Sequence, residues 1–257
     1  MRHAEQVMGT VVSIELADDL PARDLAKMID DTCAWLHEVD ERFSTYKPDS
    51  EVCRFRDGRL PLAGTSADLR HVLDACADLW RDTDGYFDVY AGGALDPSGY
   101  VKGWSVEVAS ARLAASGSAR HYLNAGGDIR MRGGTADGQP WRVGIRHPWE
   151  ADKVSWVLAL TDGAVATSGT YERGAHVWNP RTGAPAAGLR SVTVVGADLA
   201  LADAYATAAL AMGETGIAWL ATLDGFESAA VADDGRAFRS PGLPAVPPRS
   251  PDGPAAE

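Results

Sequence analysis

Apolar and polar positions recur along the chain with the periods of both helices and strands. The β-branched segment 10–16 predicts a strand, and apolar residues spaced three or four apart from Leu20 to about Arg42 predict a helix. The same patterns predict further helices at about 66–82, 101–116, 201–210 and 214–223, and strands at 121–133, 141–148, 154–169, 191–197 and 228–232. Asp198 stands where a side chain can cap the helix after strand 191–197.

The order of these elements predicts an α+β protein, because helices and strands mix without regular βαβ alternation. We expect a single compact domain over residues 1–238, with a mixed sheet and packed helices. From Arg239 onward the sequence holds six of the 14 prolines and few core-forming residues. We therefore expect a disordered, proline-rich tail over residues 239–257.

Charge and composition exclude some functions. The chain has 257 residues and a net charge of -12, with no dense Lys/Arg run, so nucleic acid is not an expected partner. No run of about 18 apolar residues occurs, so membrane insertion is not expected. The three cysteines are odd in number and lack metal-type spacing. With no export signal or lipid-attachment cysteine visible, we expect a cytoplasmic protein.

The helix "LADAYATAAL" carries two oxygen-bearing side chains on one face. Asp203 and Thr207 are four residues apart, one helical turn, in an otherwise small and apolar segment. Asp203 could reach solvent while Thr207 bonds to its own helix. Alternatively, the pair could bind a hard cation such as Mg²⁺, which accepts carboxylate and hydroxyl ligands.

Three other segments have compositions typical of ligand sites. The stretch 83–107 is rich in glycine, carries Asp84, Asp88 and Asp96, and leads into a helix whose N-terminal N–H groups could approach a phosphate. The glycine pair in "LNAGGDIRMRG" interrupts a strand and predicts either a bulge or a backbone–ligand contact. In "AVATSGTYERGAHVWNPRTGAP", a small-residue turn precedes a lone His176. Taken singly, each of these is also compatible with an ordinary structural role.

The order of these motifs resembles the ApbE family, the FAD:protein FMN transferases, over residues 7 to 225. The matching segments include "MGTVVSIEL", "TDGYFDVYAGGALDPSGYVKGW", "YLNAGGDIRMRG", "AVATSGTYERGAHVWNPRTGAP" and "SVTVVGADLALADAYATAALAMG". The resemblance implies an enzyme that cleaves the FAD pyrophosphate with Mg²⁺ and transfers FMN to a Thr or Ser hydroxyl of a target flavoprotein, releasing AMP. Some members hydrolyse FAD instead.

The resemblance also implies roles for individual residues. Asp203, Thr207 and the backbone carbonyl of Gly99 would bind the metal, and His176 would be the catalytic base. The implied FAD-binding residues are Met8, Tyr46, Tyr86, Phe87, Asp88, Asp96, Lys102, Asn124, Gly126, Gly127, Thr167, Ser168, Gly169 and Trp178. Asn179 departs from the Asp common in the family at that position.

Elementary chemistry agrees with this assignment. Cleavage of a pyrophosphate needs its developing charge neutralised, and an acidic protein has few cations, so a metal ion suits the task. An acceptor hydroxyl needs a base, and histidine serves near neutral pH. Two alternatives remain: a metal-dependent FAD pyrophosphatase giving FMN and AMP, and a non-catalytic flavin-binding protein.

Overall fold

The computed structural model describes residues 1–170 and 177–247. Its helices are α1 (Ala22–Phe43), α2 (Glu51–Arg56), α3 (Ala67–Asp82), α4 (Ser98–Ala115), α5 (Leu199–Met212) and α6 (Thr215–Leu220). Its strands are β1 (Arg2–Val7), β2 (Thr10–Leu16), β3 (His121–Ala125), β4 (Asp128–Arg132), β5 (Trp141–Arg146), β6 (Val154–Leu160), β7 (Gly163–Gly169), β8 (Trp178–Asn179), β9 (Ala184–Pro185), β10 (Leu189–Gly196), β11 (Glu227–Ala232), β12 (Ala237–Arg239) and β13 (Ala245–Val246).

A central antiparallel sheet organises the fold. Its strand order is β1-β2-β3-β4-β7-β10-β11-β12, and a smaller sheet has the order β13-β6-β5. Helices α1, α3, α4 and α5 build the larger hydrophobic core with one face of the central sheet. The smaller sheet packs on the other face and forms a second core. This arrangement confirms the predicted α+β class.

Strand β2 and helices α1 and α3 lie at the predicted positions within a few residues. Two predicted strands are each two strands joined by a tight turn. Segment 121–133 divides into β3 and β4 around Gly126 and Gly127, and segment 154–169 divides into β6 and β7 before Gly163. Positive φ angles of 61° and 103° at Gly126 and Gly127 make the glycine pair a hairpin turn rather than a bulge.

The expected tail from residue 239 needs a correction for the residues that the structure describes. Arg239 ends β12, the N–H of Ser228 donates to Ser240 Oγ at 2.8 Å, and Leu243 is 8% exposed within the second core. Ala245–Val246 then adds to the smaller sheet beside β6. Residues 248–257 of the expected tail lie outside the described residues.

Among the described residues, every helix is too short or too polar to cross a bilayer.

Candidate functional site

A cavity of about 760 Å³ opens where the N-terminal end of α4 meets α5, the β1–β2 turn and the loop before α4. It is large enough for a nucleotide-sized ligand. Fourteen of the residues implied by the resemblance lie on its wall: Met8, Tyr46, Tyr86, Phe87, Asp88, Asp96, Gly99, Lys102, Gly126, Thr167, Ser168, Trp178, Asp203 and Thr207. The structure therefore brings together side chains that lie up to 199 positions apart, from Met8 to Thr207.

Helix α5 carries two of these wall residues on one face. The Asp198 side chain accepts from the N–H of Leu201 at 2.9 Å and caps the helix start, as predicted. Asp203 is only 3% exposed. The hydroxyls of Thr207 and Ser168 share a hydrogen bond of 3.2 Å, which joins α5 to β7. The solvated interpretation of Asp203 is therefore wrong.

Close packing of α4 on α5 fixes the Asp203 carboxylate. The N–H of Gly103 donates to Asp203 Oδ2 at 3.1 Å. A Cβ atom at position 103 would lie 2.6 Å from the carbonyl oxygen of Leu199 and 2.9 Å from Asp203 Cβ. Only glycine allows this approach, so the sequence "VKGW" holds α4 against the small residues of α5.

Lys102 lies between two buried carboxylates. Its ammonium pairs with Asp128 and lies 3.5 Å from Asp203 Oδ2. Asp128 is 1% exposed, and its Oδ1 accepts from the N–H of Thr167 at 3.1 Å. Asp128 was absent from the predicted site residues, although it ends the "NAGGD" motif. Its link from β4 to both α4 and β7 makes it part of the framework behind the cavity wall.

The α4–α5 junction fits a hard divalent cation. Asp203 and Thr207 offer carboxylate and hydroxyl oxygens, the donor types that Mg²⁺ accepts. The N-terminal turn of α4 reaches the same place, because a Cβ built on Gly99 would lie 3.9 Å from Thr207 Cγ2. The ammonium of Lys102 near Asp203 shows that this point of the wall already attracts positive charge.

The charges on the wall also favour a metal ion. Among the described wall residues, Lys102 is the one cation, whereas Asp40, Asp88, Asp96 and Asp203 are acidic. A pyrophosphate entering such a cavity would meet net negative charge. A bound divalent cation would reverse that balance where the phosphates need it.

The β1–β2 turn brings Met8 to the wall. Met8 and Gly9 are the two turn residues between paired Val7 and Thr10, with φ angles of 54° and 68°. Two positive φ angles indicate a type I′ turn, which favours Asn and Gly over a bulky side chain. The Ser105 hydroxyl donates to the Lys102 carbonyl oxygen at 2.8 Å and lies 3.7 Å from Met8 Sδ, so Met8 contacts the first turns of α4. A methionine held in this conformation at a cavity indicates a functional constraint.

The loop between α3 and α4 is shaped by its own acidic residues. Asp88 Oδ1 accepts from the N–H of Tyr90 at 2.8 Å, and Asp96 Oδ1 accepts from the N–H of Ser98 at 3.0 Å. Asp96 thus caps the start of α4, whose preceding residue, Pro97, offers no side-chain cap. Phe87 is buried in the main core and fixes the middle of the loop.

The short hairpin β8–β9 forms the opposite rim of the cavity. Trp178 is 40% exposed and lies on the cavity wall. Asn179 Oδ1 accepts from the N–H of Arg181 at 2.9 Å, so its amide performs a turn role that a carboxylate could also perform. The guanidinium of Arg181 lies 4.8 Å above the Tyr86 ring and pairs with Asp84, which attaches the hairpin to the loop before α4.

Three predicted site residues that the structure describes, Asn124, Gly127 and Gly169, are not on the wall. Asn124 Oδ1 accepts from the N–H of Gly127 at 2.8 Å, so both residues belong to the β3–β4 turn. Gly169 ends β7 opposite Ser191. His176, the predicted base, lies outside the described residues.

The sheet, the close α4–α5 junction and the cavity define the class: an α+β protein with buried carboxylate and hydroxyl oxygens on the wall of a nucleotide-sized cavity. The sequence model of the ApbE family matches residues 8–96 and 90–230. The chain therefore belongs to the ApbE family.

Curated relatives and solved structures agree with this membership. The FAD:protein FMN transferase of Vibrio cholerae is 28% identical, over 82% of this chain and 83% of the relative. That of Rhodobacter capsulatus is 37% identical over 57% of this chain, and the match spans 30% of that longer relative. The structure of the flavin transferase ApbE from Vibrio cholerae has a TM-score of 0.82 and 25% identity, covering 94% of this chain and 97% of that chain. The ApbE protein of Thermotoga maritima shares the fold, with a TM-score of 0.83 at 22% identity over 94% and 97% of the two chains.

Proposed function

We propose that the protein transfers FMN from FAD to a Thr or Ser hydroxyl of a target flavoprotein, releasing AMP. The relatives named FAD:protein FMN transferase support this activity. The observation that carries the proposal is the placement of Asp203 and Thr207, on one face of α5, inside a cavity of about 760 Å³. A cation site within a nucleotide-sized cavity is what cleavage of a dinucleotide pyrophosphate requires.

The metal would be held by Asp203, Thr207 and the carbonyl of Gly99. When bound, Mg²⁺ supplies the positive charge that stabilises the pyrophosphate as its bond breaks. Lys102 holds the buried Asp128 and lies 3.5 Å from Asp203, so it balances the carboxylates of the junction. The capped N-terminus of α4 and the β3–β4 turn fix the wall against which the phosphates would lie.

The reaction needs one proton acceptor. The hydroxyl oxygen of the target attacks the phosphorus of the FMN half, the bond to the AMP phosphate breaks, and AMP leaves. The hydroxyl proton passes to a base, and the family resemblance assigns that role to His176.

Mass spectrometry tests the proposal directly. The full chain is incubated with FAD, Mg²⁺ and a peptide containing one threonine, beside a matched peptide with alanine in its place. We expect the FMN mass on the threonine peptide alone, together with an equal amount of AMP. Free FMN and AMP with both peptides would instead identify a pyrophosphatase, and FAD binding without AMP release would identify a non-catalytic flavin-binding protein.

A peptide could fail because it lacks features that the enzyme recognises. AMP release is therefore measured separately, with Mg²⁺ and with EDTA, in the wild type and in Asp203→Asn. Because this release reports pyrophosphate cleavage whichever group accepts FMN, its absence in the wild type would refute catalysis at this site.

A further inference from the structure

Four side chains with metal-binding chemistry meet where β1 crosses α1, away from the cavity. His3 and Glu5 are two positions apart on β1 and share one face of the strand. Cys33 and His37 are four positions apart on α1 and share one face of the helix. None of the four belongs to the cavity wall described above.

The distances among these groups are short. One ligand atom each from His3, Glu5 and Cys33 lies within 4.8 Å of the others. His3 Nε2 lies 3.0 Å from Glu5 Oε2, and His37 Nε2 lies 2.8 Å from Glu5 Oε1. The Glu5 carboxylate is therefore at the centre, with an imidazole nitrogen at each of its oxygens.

The donor types and their spacing favour one metal. Two imidazoles, a thiolate and a carboxylate are ligands that Zn²⁺ accepts in tetrahedral sites. Bonds of about 2.0–2.3 Å would separate neighbouring ligand atoms by roughly 3.5 Å. His3, Glu5 and Cys33 already lie within 4.8 Å of one another, and the half-exposed His37 side chain, held at Glu5 Oε1, would turn towards the same point to complete the set.

We propose that His3, Glu5, Cys33 and His37 form a structural Zn²⁺ site that binds β1 to α1. The site is distinct from the Asp203 junction, which offers oxygen ligands alone. As the metal binds, the Cys33 thiol proton leaves to solvent and the sulfur coordinates as thiolate. Burial, helped by the negative charge of Glu5, raises the pKa of the Cys33 thiol to about 11, so the proton is present before metal binds.

The location gives such a site a structural use. β1 is an edge strand of the central sheet, and its residues are mostly exposed. The same hairpin ends in the Met8–Gly9 turn at the cavity. A metal cross-link between β1 and α1 would stabilise this edge and hold the turn in place.

Cobalt substitution distinguishes this site from the cavity. The full chain, purified without a histidine tag and stripped by EDTA, is titrated with Co²⁺ and then with Zn²⁺. We expect a thiolate-to-cobalt charge-transfer band and strong visible bands that saturate near one equivalent and disappear when Zn²⁺ displaces Co²⁺. The described cavity wall carries no cysteine, so Co²⁺ at Asp203 would not give the charge-transfer band.

Two variants and one control complete the test. Cys33→Ser should abolish the charge-transfer band, and His37→Gln should weaken Zn²⁺ affinity by at least about 100-fold, more than the loss of an outer-shell partner. The control His147→Gln removes a histidine that also lies near a carboxylate, Glu150 at 3.9 Å, but that belongs to no metal-ligand group among the described residues. The His147→Gln variant should bind Co²⁺ and Zn²⁺ with the affinity of the wild type.

Melting temperatures give a second readout. Zn²⁺ should raise the melting temperature of the wild type and of His147→Gln, and should leave Cys33→Ser unchanged. A wild type without the charge-transfer band, or a band that persists in Cys33→Ser, would overturn the proposal.

Discussion

The two sides of the cavity are built differently. The inner wall consists of Lys102, Ser168, Asp203 and Thr207, with Asp128 behind them. Its two acidic residues are 1% and 3% exposed, and each of its side chains has a partner on another element. On the rim, Tyr46 is 95% exposed and Trp178 is 40% exposed. The inner wall holds charges in fixed positions, whereas the rim presents aromatic surface to solvent.

The difference follows from what each side must do. Buried carboxylates are costly unless hydrogen bonds and opposite charges surround them, so they are found where the framework fixes them. Such fixed charges suit catalysis, because they need no rearrangement during the reaction. Exposed aromatic groups suit binding, since they gain buried area only when a ligand arrives. We therefore expect the inner wall to control turnover and the rim to control affinity.

Asp203→Asn should have the largest effect. Asparagine keeps the size of the side chain but removes the charge that a divalent cation requires, so Mg²⁺-dependent AMP release should fall at least about 10²–10³-fold. Steady-state kinetics and Mg²⁺ titration measure this change. The exposed Asp224 supplies the control Asp224→Asn, which should behave as the wild type. If Asp203→Asn retained activity within a few-fold, the inner wall would lose its assigned role.

His121 should make the framework sensitive to acid. It is fully buried between the hydroxyls of Ser110 (2.8 Å) and Ser118 (3.1 Å), and burial lowers its pKa from 6.5 to about 4. The unfolded chain therefore binds a proton that the folded chain does not. This contribution to stability is intact above pH 6.5 and is lost as the pH falls towards 4.

The lowered pKa of His121 should reduce the free energy of unfolding by about 2 kcal/mol between pH 7.5 and pH 5. Denaturant unfolding at both pH values measures it, and His121→Gln should remove that share of the pH dependence. An unchanged pH dependence in His121→Gln would show that carboxylates alone cause the acid sensitivity.

Leu243→Ala should destabilise the face of the sheet away from the cavity. Leu243 is 8% exposed in the second core, and its removal should cost about 2–3 kcal/mol of unfolding free energy. A chain ending at Ser240 should lose at least as much, because it also lacks β13, while a chain ending at Pro247 should retain wild-type stability. The turnover of folded Leu243→Ala should be normal. Reduced turnover at full folding would show that the second core also shapes the site.

Gly103→Ala tests whether the α4–α5 approach positions Asp203. The added methyl group would lie 2.6 Å from the Leu199 carbonyl oxygen, so the helices must separate, at a cost of about 1–3 kcal/mol. The activity should fall by more than the loss of folded protein explains, because the hydrogen bond from the Gly103 N–H to the Asp203 carboxylate is displaced as well. Gly144→Ala is the control, because Gly144 lies on β5, outside the cavity wall, and a Cβ there would meet only the Val154 side chain, at 3.3 Å. Wild-type activity in folded Gly103→Ala would show that the close packing of α4 on α5 is not needed to position Asp203.

The sequence predicted the inner wall better than its surroundings, for physical reasons. Asp198, Asp203 and Thr207 lie on one regular helix, where spacing alone determines which side chains share a face. The exposed strand β1 lacks the alternating pattern, so "RHAEQV" gave no signal. β13 exists through its pairing with distant β6, which local periodicity cannot reveal. The sequence around Cys33 did not indicate a metal site, because its neighbours His3 and Glu5 lie on β1, which the sequence did not predict.

Trp178→Ala should have the smallest effect and should act on affinity. Its ring is 40% exposed on the cavity rim, and an aromatic contact with a bound flavin or adenine ring is worth about 0.5–1.5 kcal/mol. The KM for FAD should therefore rise roughly 3–10-fold with an unchanged kcat. Trp149→Ala is the matched control, because Trp149 is 47% exposed and does not belong to the cavity wall. A fall in kcat at constant KM would show that Trp178 acts in turnover rather than in binding. The division between a catalytic inner wall and a binding rim would then be wrong for that residue.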